Sequence, residues 1–264
     1  DRAMWLEFRR VLFRSQNLVD QKFPVNDDMK EDAATIIKQI KSAYKSNYGD
    51  NYKDSLNKAL TSAGYKNLSE YRQRMIKQIQ YANFLLDYID DHFDDVFNDY
   101  YQQCAPKYVS LIKISVSDTS SPTDDETSKL NEVKELISNT DKSFGDIAQD
   151  YSDDSTSSKK GSLGIVDSKD TSGIANSYGK DVFNAIESLS EGQVSDVITG
   201  DNGYYFVKVT STDKKTLKKE LKKTDIDSPL LAYDDYLQYV VYNSYKINYK
   251  DKDIKKIVQE VVNK

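Results

Sequence analysis

Tyr151-Ser-Asp-Asp-Ser-Thr-Ser-Ser-Lys-Lys-Gly-Ser-Leu-Gly164 is the stretch that decides the fold of the central part of this chain. Its run of Ser, Thr and Lys, residues 152–160, has the composition of a loop. Further along, the turn Asp201-Asn-Gly203 leads into Tyr204-Tyr-Phe-Val-Lys-Val209, whose aromatic and β-branched residues predict a strand. The two segments therefore predict a polar loop and a closing strand within one domain.

The segments around this loop predict a compact α+β domain. In order, we expect a strand at 108–116, a helix marked by Leu130, Val133, Leu136 and Ile137, short helices at 144–151 and 182–189, and strands at 194–198 and 204–209. Because strands begin and end this block, its first and last strands are free to be neighbours in a small sheet flanked by helices.

Residues 26–103 have the apolar periodicity of helices. We expect a first helix behind Asp27-Asp28, a short second one ended by Gly64, and a third opened by an Asn67/Glu70 capping box. The third keeps helical phase through residues 75–97, and Pro106 predicts that it stops before that position. The N-terminal part is therefore predicted to be a helical domain.

Composition excludes several classes of function. The net charge of −6 argues against a nucleic-acid partner, because phosphate binding needs a basic face. One cysteine and one histidine leave few metal ligands beyond carboxylates, so no metal and no cofactor is expected. Cys104 is predicted to be a buried structural thiol. His92 lies among Asp90, Asp91, Asp94 and Asp95, and this cluster is either a solvated acidic face or a divalent-cation site.

The first fifteen residues differ in chemistry from the rest. Residues 1–15 hold four of the six arginines and the single tryptophan, Trp5, whereas later cations are almost all lysine. We expect a read-through, cloning or assembly scar foreign to the fold. A basic amphipathic helix lying on a membrane is the alternative.

The central block resembles the parvulin family of peptidyl-prolyl cis-trans isomerases, also called PpiC-type rotamases. Phe144-Gly-Asp-Ile-Ala148 resembles the helix ahead of the family's active-site loop, and residues 151–164 resemble the loop itself. Leu189-Ser-Glu-Gly-Gln-Val-Ser195 is similar to the turn before the third strand, and residues 203–209 are similar to the last strand. The spacing of all four segments agrees with the family.

The flanks resemble the PrsA foldases, in which a parvulin domain is inserted into a helical chaperone domain related to that of SurA. Residues 48–79 look like the helical N-terminal region, and residues 249–254 are similar to the closing helix. The resemblance covers about residues 17–264. It implies a helical chaperone domain in two parts, 16–106 and 213–264, around a parvulin-like domain at 107–212.

The resemblance implies a site with notable departures. Asp154 occupies the family's Cys or Asp position, but its two histidine positions hold Leu111 and Tyr205. Leu163 matches an apolar groove residue, and the groove's Phe falls on either Val182 or Phe183. The usual Gly-Asp-Leu-Gly of the loop reads Gly161-Ser-Leu-Gly164. Asp154 is thus either a surviving catalytic group or an ordinary loop carboxylate, and Tyr205 is the one replacement that could donate a hydrogen bond to it.

Three functions follow from the resemblance. The first is a foldase with weak or absent isomerase activity that binds unfolded or newly exported polypeptides, and the second is an active isomerase with a rearranged site. The third is a purely structural surface protein. The family implies an extracytoplasmic lipoprotein at the outer face of the cell membrane, and it allows a homodimer. Because Cys104 is internal, we expect any lipid anchor to be absent from this chain.

Overall fold

A computed structural model describes residues 19–139, 141–221 and 228–232, together with Lys252 and Lys256. The predicted foreign segment at 1–15 lies outside these residues, as does the predicted closing helix at 249–254 except for Lys252. The chain divides into two compact units, one made of residues 1–91 and 234–264 and the other of residues 92–233. Each unit is described separately.

The described part of the first unit is helical, as predicted. Its main helices are α1 (Asp27–Tyr48), α2 (Tyr52–Ser62) and α3 (Leu68–Asp91). α1 begins where the Asn26 side chain accepts a hydrogen bond from the Met29 amide at 2.9 Å, which satisfies a free donor of the first turn. α1 and α3 pack through a small apolar core of Met29, Ala33, Ile76 and Ile79.

The predicted capping box is present with one difference. The Glu70 amide donates to the side chain of Asn67 at 2.9 Å, as expected for a cap. The Glu70 carboxylate, however, accepts from the amide of Lys66 at 2.7 Å, one residue before the capping position. Gly64, with φ of 85°, follows α2 in the left-handed conformation that its sequence position predicts.

The single long helix predicted through residues 75–97 is wrong, because the chain breaks it at His92. α3 ends at Asp91 and a new helix, α4 (Phe93–Cys104), begins after His92, whose φ of −125° is not helical. Aspartates disfavour a helix C-terminus and favour an N-terminus. Asp90 and Asp91 therefore weaken the end of α3, while Asp94 and Asp95 support the start of α4. The chain leaves α4 through Ala105, in the left-handed region, before Pro106.

The second unit holds the α+β domain. Its elements after α4 are β1 (Lys107–Ser115), α5 (Asp124–Asn139), α6 (Phe144–Tyr151), β2 (Ser162–Val166), α7 (Ile174–Tyr178), α8 (Lys180–Ser188), β3 (Ile198–Gly200), β4 (Gly203–Ser211), α9 (Lys214–Leu221) and α10 (Pro229–Ala232). The strands form one antiparallel sheet in the order β2-β1-β4-β3, so the first and last strands are neighbours as predicted.

Helices cover both faces of this sheet. Val109 and Leu111 of β1 point to one face, where α7 and α8 contribute Ile174, Val182 and Ile186. Ile112 and Ile114 point to the other, where α5 and α6 contribute Leu130, Val133, Phe144 and Ile147. Successive residues of a strand point to opposite faces, so β1 supplies apolar side chains to both cores.

The predicted strands differ from the observed ones in two places. β2 was not expected, because its Gly161-Ser-Leu-Gly164 start has the composition of a loop. The strand predicted at 194–198 is mostly absent, and β3 begins only at Ile198. Val194 forms an isolated bridge to Lys208, and the Ser195 side chain accepts from the Val207 amide at 3.1 Å. That side-chain bond replaces a regular ladder contact at this point.

Gly161 is where the loop comes closest to β1. The Leu111 amide donates to the Gly161 carbonyl at 2.8 Å. A Cβ at Gly161 would lie 2.4 Å from the Leu111 carbonyl oxygen, and the residue has φ of +75°. Only glycine fits this backbone position, for both reasons.

We expect Gly161→Ala to lower the free energy of unfolding by at least about 3 kcal/mol, because it adds a backbone clash to the left-handed penalty of about 1–2 kcal/mol. Gly164→Ala is the matched control. Its φ is +78° and no atom lies within 4 Å of its added Cβ, so it should cost only about 1–2 kcal/mol. Urea denaturation of both variants measures the difference. Equal losses of unfolding free energy in the two variants would show that the close approach of Gly161 to the Leu111 carbonyl does not constrain this position.

A buried carboxylate ties α4 to the end of β2. Asp167 is fully buried and accepts hydrogen bonds from the Tyr100 hydroxyl at 2.7 Å, from the Lys169 amide at 2.9 Å and from the hydroxyl of Thr171. Burial, followed by the charge of Asp167, raises the pKa of Tyr100 well above its usual range. Cys104 is buried beside them, as predicted, and burial raises the pKa of its thiol to about 11.

Tyr100→Phe should lower the free energy of unfolding by about 1–3 kcal/mol, because it leaves a buried carboxylate short of one donor. Tyr101→Phe is the control, since the Tyr101 hydroxyl donates to the Thr212 carbonyl at 3.0 Å in a partly buried position. Thermal or urea unfolding compares the two. A loss from Tyr100→Phe no larger than that from Tyr101→Phe would contradict a role for Asp167 in holding α4.

Candidate functional site

The five residues predicted to form a peptide groove lie in one apolar cluster on the α7/α8 face of the sheet. Leu111, Val182 and Tyr205 are buried members of this cluster, and Leu163 and Phe183 pack against it as half-buried side chains. The strands bring them together because Leu111 lies opposite Val207 in the β1/β4 pair, and Tyr205 shares that face two residues earlier. We call this set the groove cluster.

Members of the groove cluster differ in what they can contact. Leu111 is fully buried and Val182 is 1% exposed, so both support the cluster from within. Leu163 and Phe183 are half-buried and keep surface that a ligand can cover. Of the two alternatives for the groove's aromatic position, the half-buried residue is therefore Phe183.

Asp154 lies on the loop beside this cluster and acts as a cap. Its Oδ1 accepts from the Thr156 amide at 2.9 Å and from the Thr156 hydroxyl at 2.7 Å, which starts a short 3-10 helix at Ser155–Lys159. The carboxylate also acts on the phenol of Tyr178 on α7, whose pKa it raises. Two groups that were not predicted from the sequence, Thr156 and Tyr178, thus interact with the one acidic residue of the predicted site.

Tyr205 does not supply the hydrogen bond that its position suggested. Its hydroxyl donates to Oδ1 of Asn202 at 2.6 Å instead. Its ring meets that of Tyr178 edge to face, with 6.2 Å between the ring centroids. The Nζ of Lys113, which pairs with Tyr205 across the β1/β4 ladder, lies 5.8 Å from the centroid of the Tyr205 ring.

Both tyrosines are electrostatically linked to Asp154. Burial, followed by the charge and hydrogen bonding of Asp154, raises the pKa of Tyr178 to about 12. The pKa of Tyr205 is also raised, first by burial and then by the charges of Asp154 and Asp201. At neutral pH both phenols therefore stay protonated and can donate hydrogen bonds.

Comparison with known proteins agrees with this geometry. A family model described as the PPIC-type PPIase domain, or rotamase, matches residues 111–211. These residues are a parvulin-type domain. They run from the middle of β1 to the end of β4 and include every residue predicted for the site.

The chain is PrsA-like in sequence. It is 32% identical over 141 residues to the Foldase protein PrsA of Staphylococcus epidermidis and, at the same identity and length, to that of Staphylococcus aureus. Each match takes in 51% of this chain and 41% of the relative, so the chain spans about two fifths of the length of these relatives. The solved structure of the foldase protein PrsA from Streptococcus pneumoniae is 19% identical and has a TM-score of 0.44, covering 97% of this chain and 90% of that one.

Two kinds of feature are missing from the described part of the chain. No group of three or more His, Cys, Asp or Glu side chains there could hold a metal ion. None of the described helices is long and apolar enough to cross a membrane.

Leu163 and Phe183 thus leave partly exposed apolar surface at the groove cluster, and the residues in the two histidine positions offer no free side-chain donor there. Leu111 has no polar atom, and the Tyr205 hydroxyl is already bonded to Asn202. Tyr178 is the residue that sequence reasoning missed. Its helix, Ile174-Ala-Asn-Ser-Tyr178 between Gly173 and Gly179, is too short for a periodic signal, although the two glycines do mark its limits.

We expect Asp154→Asn to lower the pKa of Tyr178 from about 12 toward its ordinary value of about 10, without reaching it, because burial remains. A phenol with a raised pKa stabilises the fold below about pH 10 and loses that contribution as pH rises toward 12. The wild type should therefore lose stability over this window, and Asp154→Asn should lose less.

NMR titration of ring-labelled tyrosine measures this pKa, with Tyr178→Phe assigning the signal. Asp201→Asn is a control of the same charge change, and it should leave the pKa of Tyr178 unaltered, since Asp201 acts on Tyr205. An unchanged Tyr178 titration in Asp154→Asn would contradict the interaction between these two residues.

Proposed function

We propose that this protein is an extracytoplasmic foldase that binds unfolded or newly exported polypeptides and has weak or absent prolyl isomerase activity. The proposal rests on one observation: apolar surface is present at the groove cluster, whereas the two positions that hold histidines in the family have no free side-chain hydrogen-bond donor. Leu163 and Phe183 keep surface for an apolar side chain, whereas Leu111 and Tyr205 have no free donor to direct at an amide.

The physics of prolyl isomerisation explains why this difference matters. Rotation about the bond before proline has a barrier of about 18–20 kcal/mol, and no covalent bond needs to form. An isomerase must stabilise the twisted amide more than either planar form, which takes polar groups held in place around an apolar proline pocket. Leu111 is fully buried, and the Tyr205 hydroxyl already donates to Asn202. In our proposal the protein therefore keeps the apolar pocket but has fewer polar groups to stabilise the twisted amide.

The helical regions are the second part of the proposal. We place the parvulin domain at residues 107–212, inserted between helical parts at 16–106 and 213–264 that act as one chaperone domain. The chain contains 20 tyrosines, whose rings combine apolar area with a polar tip and so suit contact with varied peptides. A lipid anchor at the outer face of the membrane and a homodimer fit the PrsA resemblance.

Suppression of aggregation tests the proposal. The full chain should suppress the aggregation of an unfolded client that contains no proline. Leu163→Ser combined with Phe183→Ser should raise the concentration needed by about fivefold, because each substitution removes roughly 0.5 kcal/mol of apolar contact. The matched control is Leu136→Ser with Ile137→Ser, half-buried residues on the opposite sheet face, which should leave suppression unchanged. No binding to any unfolded chain would favour a purely structural protein.

A working isomerase is the second candidate, favoured by one observation. The phenol of Tyr178, whose pKa Asp154 raises, is a polar group near Asp154 that the family pattern did not predict. NMR exchange on a proline peptide separates the candidates, and we expect exchange at the uncatalysed rate or far below that of an intact parvulin. Turnover comparable to that of an intact parvulin, lost in both Asp154→Ala and Tyr178→Phe, would overturn the first candidate and establish the second.

A further inference from the structure

The helical unit contains a cavity that the parvulin resemblance does not explain. It lies between α1 and the start of α3 and has a volume of about 420 Å³. Its lining consists of Ala34, Ile37, Lys38, Lys41, Leu68, Ser69 and Arg72. This volume falls in the range of pockets that hold small ligands or a few side chains.

The lining combines an apolar surface with three cations. Ile37 and Leu68 form apolar wall, while Lys38, Lys41 and Arg72 are exposed at its edge. Within the described part of the chain, no carboxylate lies within 4 Å of these three cations, whereas Lys30 and Lys77 of the same unit are paired with Asp27 and Asp20. Among the described residues, the cavity thus carries three cations without an acidic partner, on a chain whose net charge is −6.

An aromatic pair extends this surface along α1. Lys41 and Tyr48 are seven residues apart and lie on the same helix face as Ala34. Tyr44 and Tyr48 stack with their ring centroids 5.5 Å apart, and Tyr48 is 53% exposed. From Ala34 to Tyr48 the helix rises about 21 Å, which is the length of about six residues of extended peptide.

We propose that this surface binds an extended acidic segment of a polypeptide. An apolar side chain of the segment enters the cavity, its neighbouring carboxylates pair with Lys38, Lys41 and Arg72, and an aromatic or apolar residue further along stacks on Tyr48. Charge complementarity selects this occupant, since a basic segment would meet three like charges. The inference rests on the proposed polypeptide-binding function and names the class of segment that the helical unit selects.

Binding of labelled octapeptides to the full chain tests the proposal by fluorescence anisotropy. One peptide carries a leucine flanked by glutamates and a tyrosine near one end, and its counterparts replace the glutamates by glutamine or by lysine. We expect the acidic peptide to bind at least about tenfold more tightly than either, because each exposed ion pair contributes a small favourable amount. Raising the salt from 0.05 to 0.5 M should reduce this preference.

Variants of the cavity locate the binding. Lys38→Gln, Lys41→Gln and Arg72→Gln together should weaken the acidic peptide about tenfold. The matched control is Lys53→Gln, Lys58→Gln and Arg74→Gln, which makes the same charge change at exposed positions outside the cavity. Ala34→Phe fills the cavity while keeping every charge, and it should weaken the peptide severalfold. Circular dichroism checks that each variant is folded.

Several outcomes would overturn the proposal. The first is equal affinity of the chain for the three peptides. The second is an equal loss of affinity for the acidic peptide in the triple variant and in its control, and the third is an unchanged affinity in Ala34→Phe. Displacement of the peptide by phosphatidylglycerol vesicles or by inorganic phosphate at lower concentration than by unlabelled acidic peptide would assign the site to a lipid surface or a free anion instead. If aggregation of the proline-free client is still suppressed while the acidic preference is absent, this inference fails and the proposed function stands.

Discussion

The pairing of β1 with β4 is the constraint on which the candidate site depends. β1 is a central strand, buried on both faces, and its register with β4 runs from Tyr108 to Ser115. Several hydrogen bonds attach the site loop to the same strand. The Asp153 amide donates to the Lys113 carbonyl at 2.8 Å, the Lys113 amide to the Ser152 hydroxyl at 3.0 Å, the Leu111 amide to the Gly161 carbonyl at 2.8 Å, and the Ser115 amide to the Asp153 carboxylate at 2.8 Å. Asp154 is therefore positioned by backbone contacts rather than by a catalytic partner.

This attachment explains how the loop keeps its shape without histidines. Leucine at position 111 is a core residue, and its burial contributes about 1.5–3 kcal/mol to folding, whereas a buried polar ring there would need hydrogen-bond partners. The amide and hydroxyl of Thr156 satisfy the carboxylate of Asp154 in their place.

The sequence predicts well those helices, strands and turns whose signals lie within the segment itself, such as apolar periodicity or a capping residue. The helix α1, the left-handed Gly64 and the strands β1 and β4 follow from such signals. The break at His92 was missed because apolar phase continues through it, and only the charges on either side indicate it. β2 was missed because a Gly and Ser composition predicts a loop, whereas pairing with β1 makes it a strand.

At the candidate site, the grouping of the apolar side chains could be predicted from the sequence, but the hydrogen-bond partners of the tyrosines could not. Leu111, Leu163, Val182, Phe183 and Tyr205 come together because strand alternation and the family pattern place them on one face. The direction of each hydroxyl did not follow from either. Tyr205 donates to Asn202, three residues earlier in the adjoining turn. Tyr178 interacts with Asp154 from a five-residue helix that is distant in sequence, so residue type alone encodes neither contact.

The acidic net charge of the chain does not prevent a local site for acidic peptides. At physiological salt the screening length is about 8 Å, so exposed carboxylates elsewhere on the molecule act only weakly on a ligand in the cavity. The lysines and arginine at the cavity edge are within contact distance and dominate there. An overall negative charge would slow the approach of acidic segments while leaving their bound state attractive. Selection by the helical unit would then depend on the arrangement of charge around Lys38, Lys41 and Arg72 and not on the sum of charge over the chain.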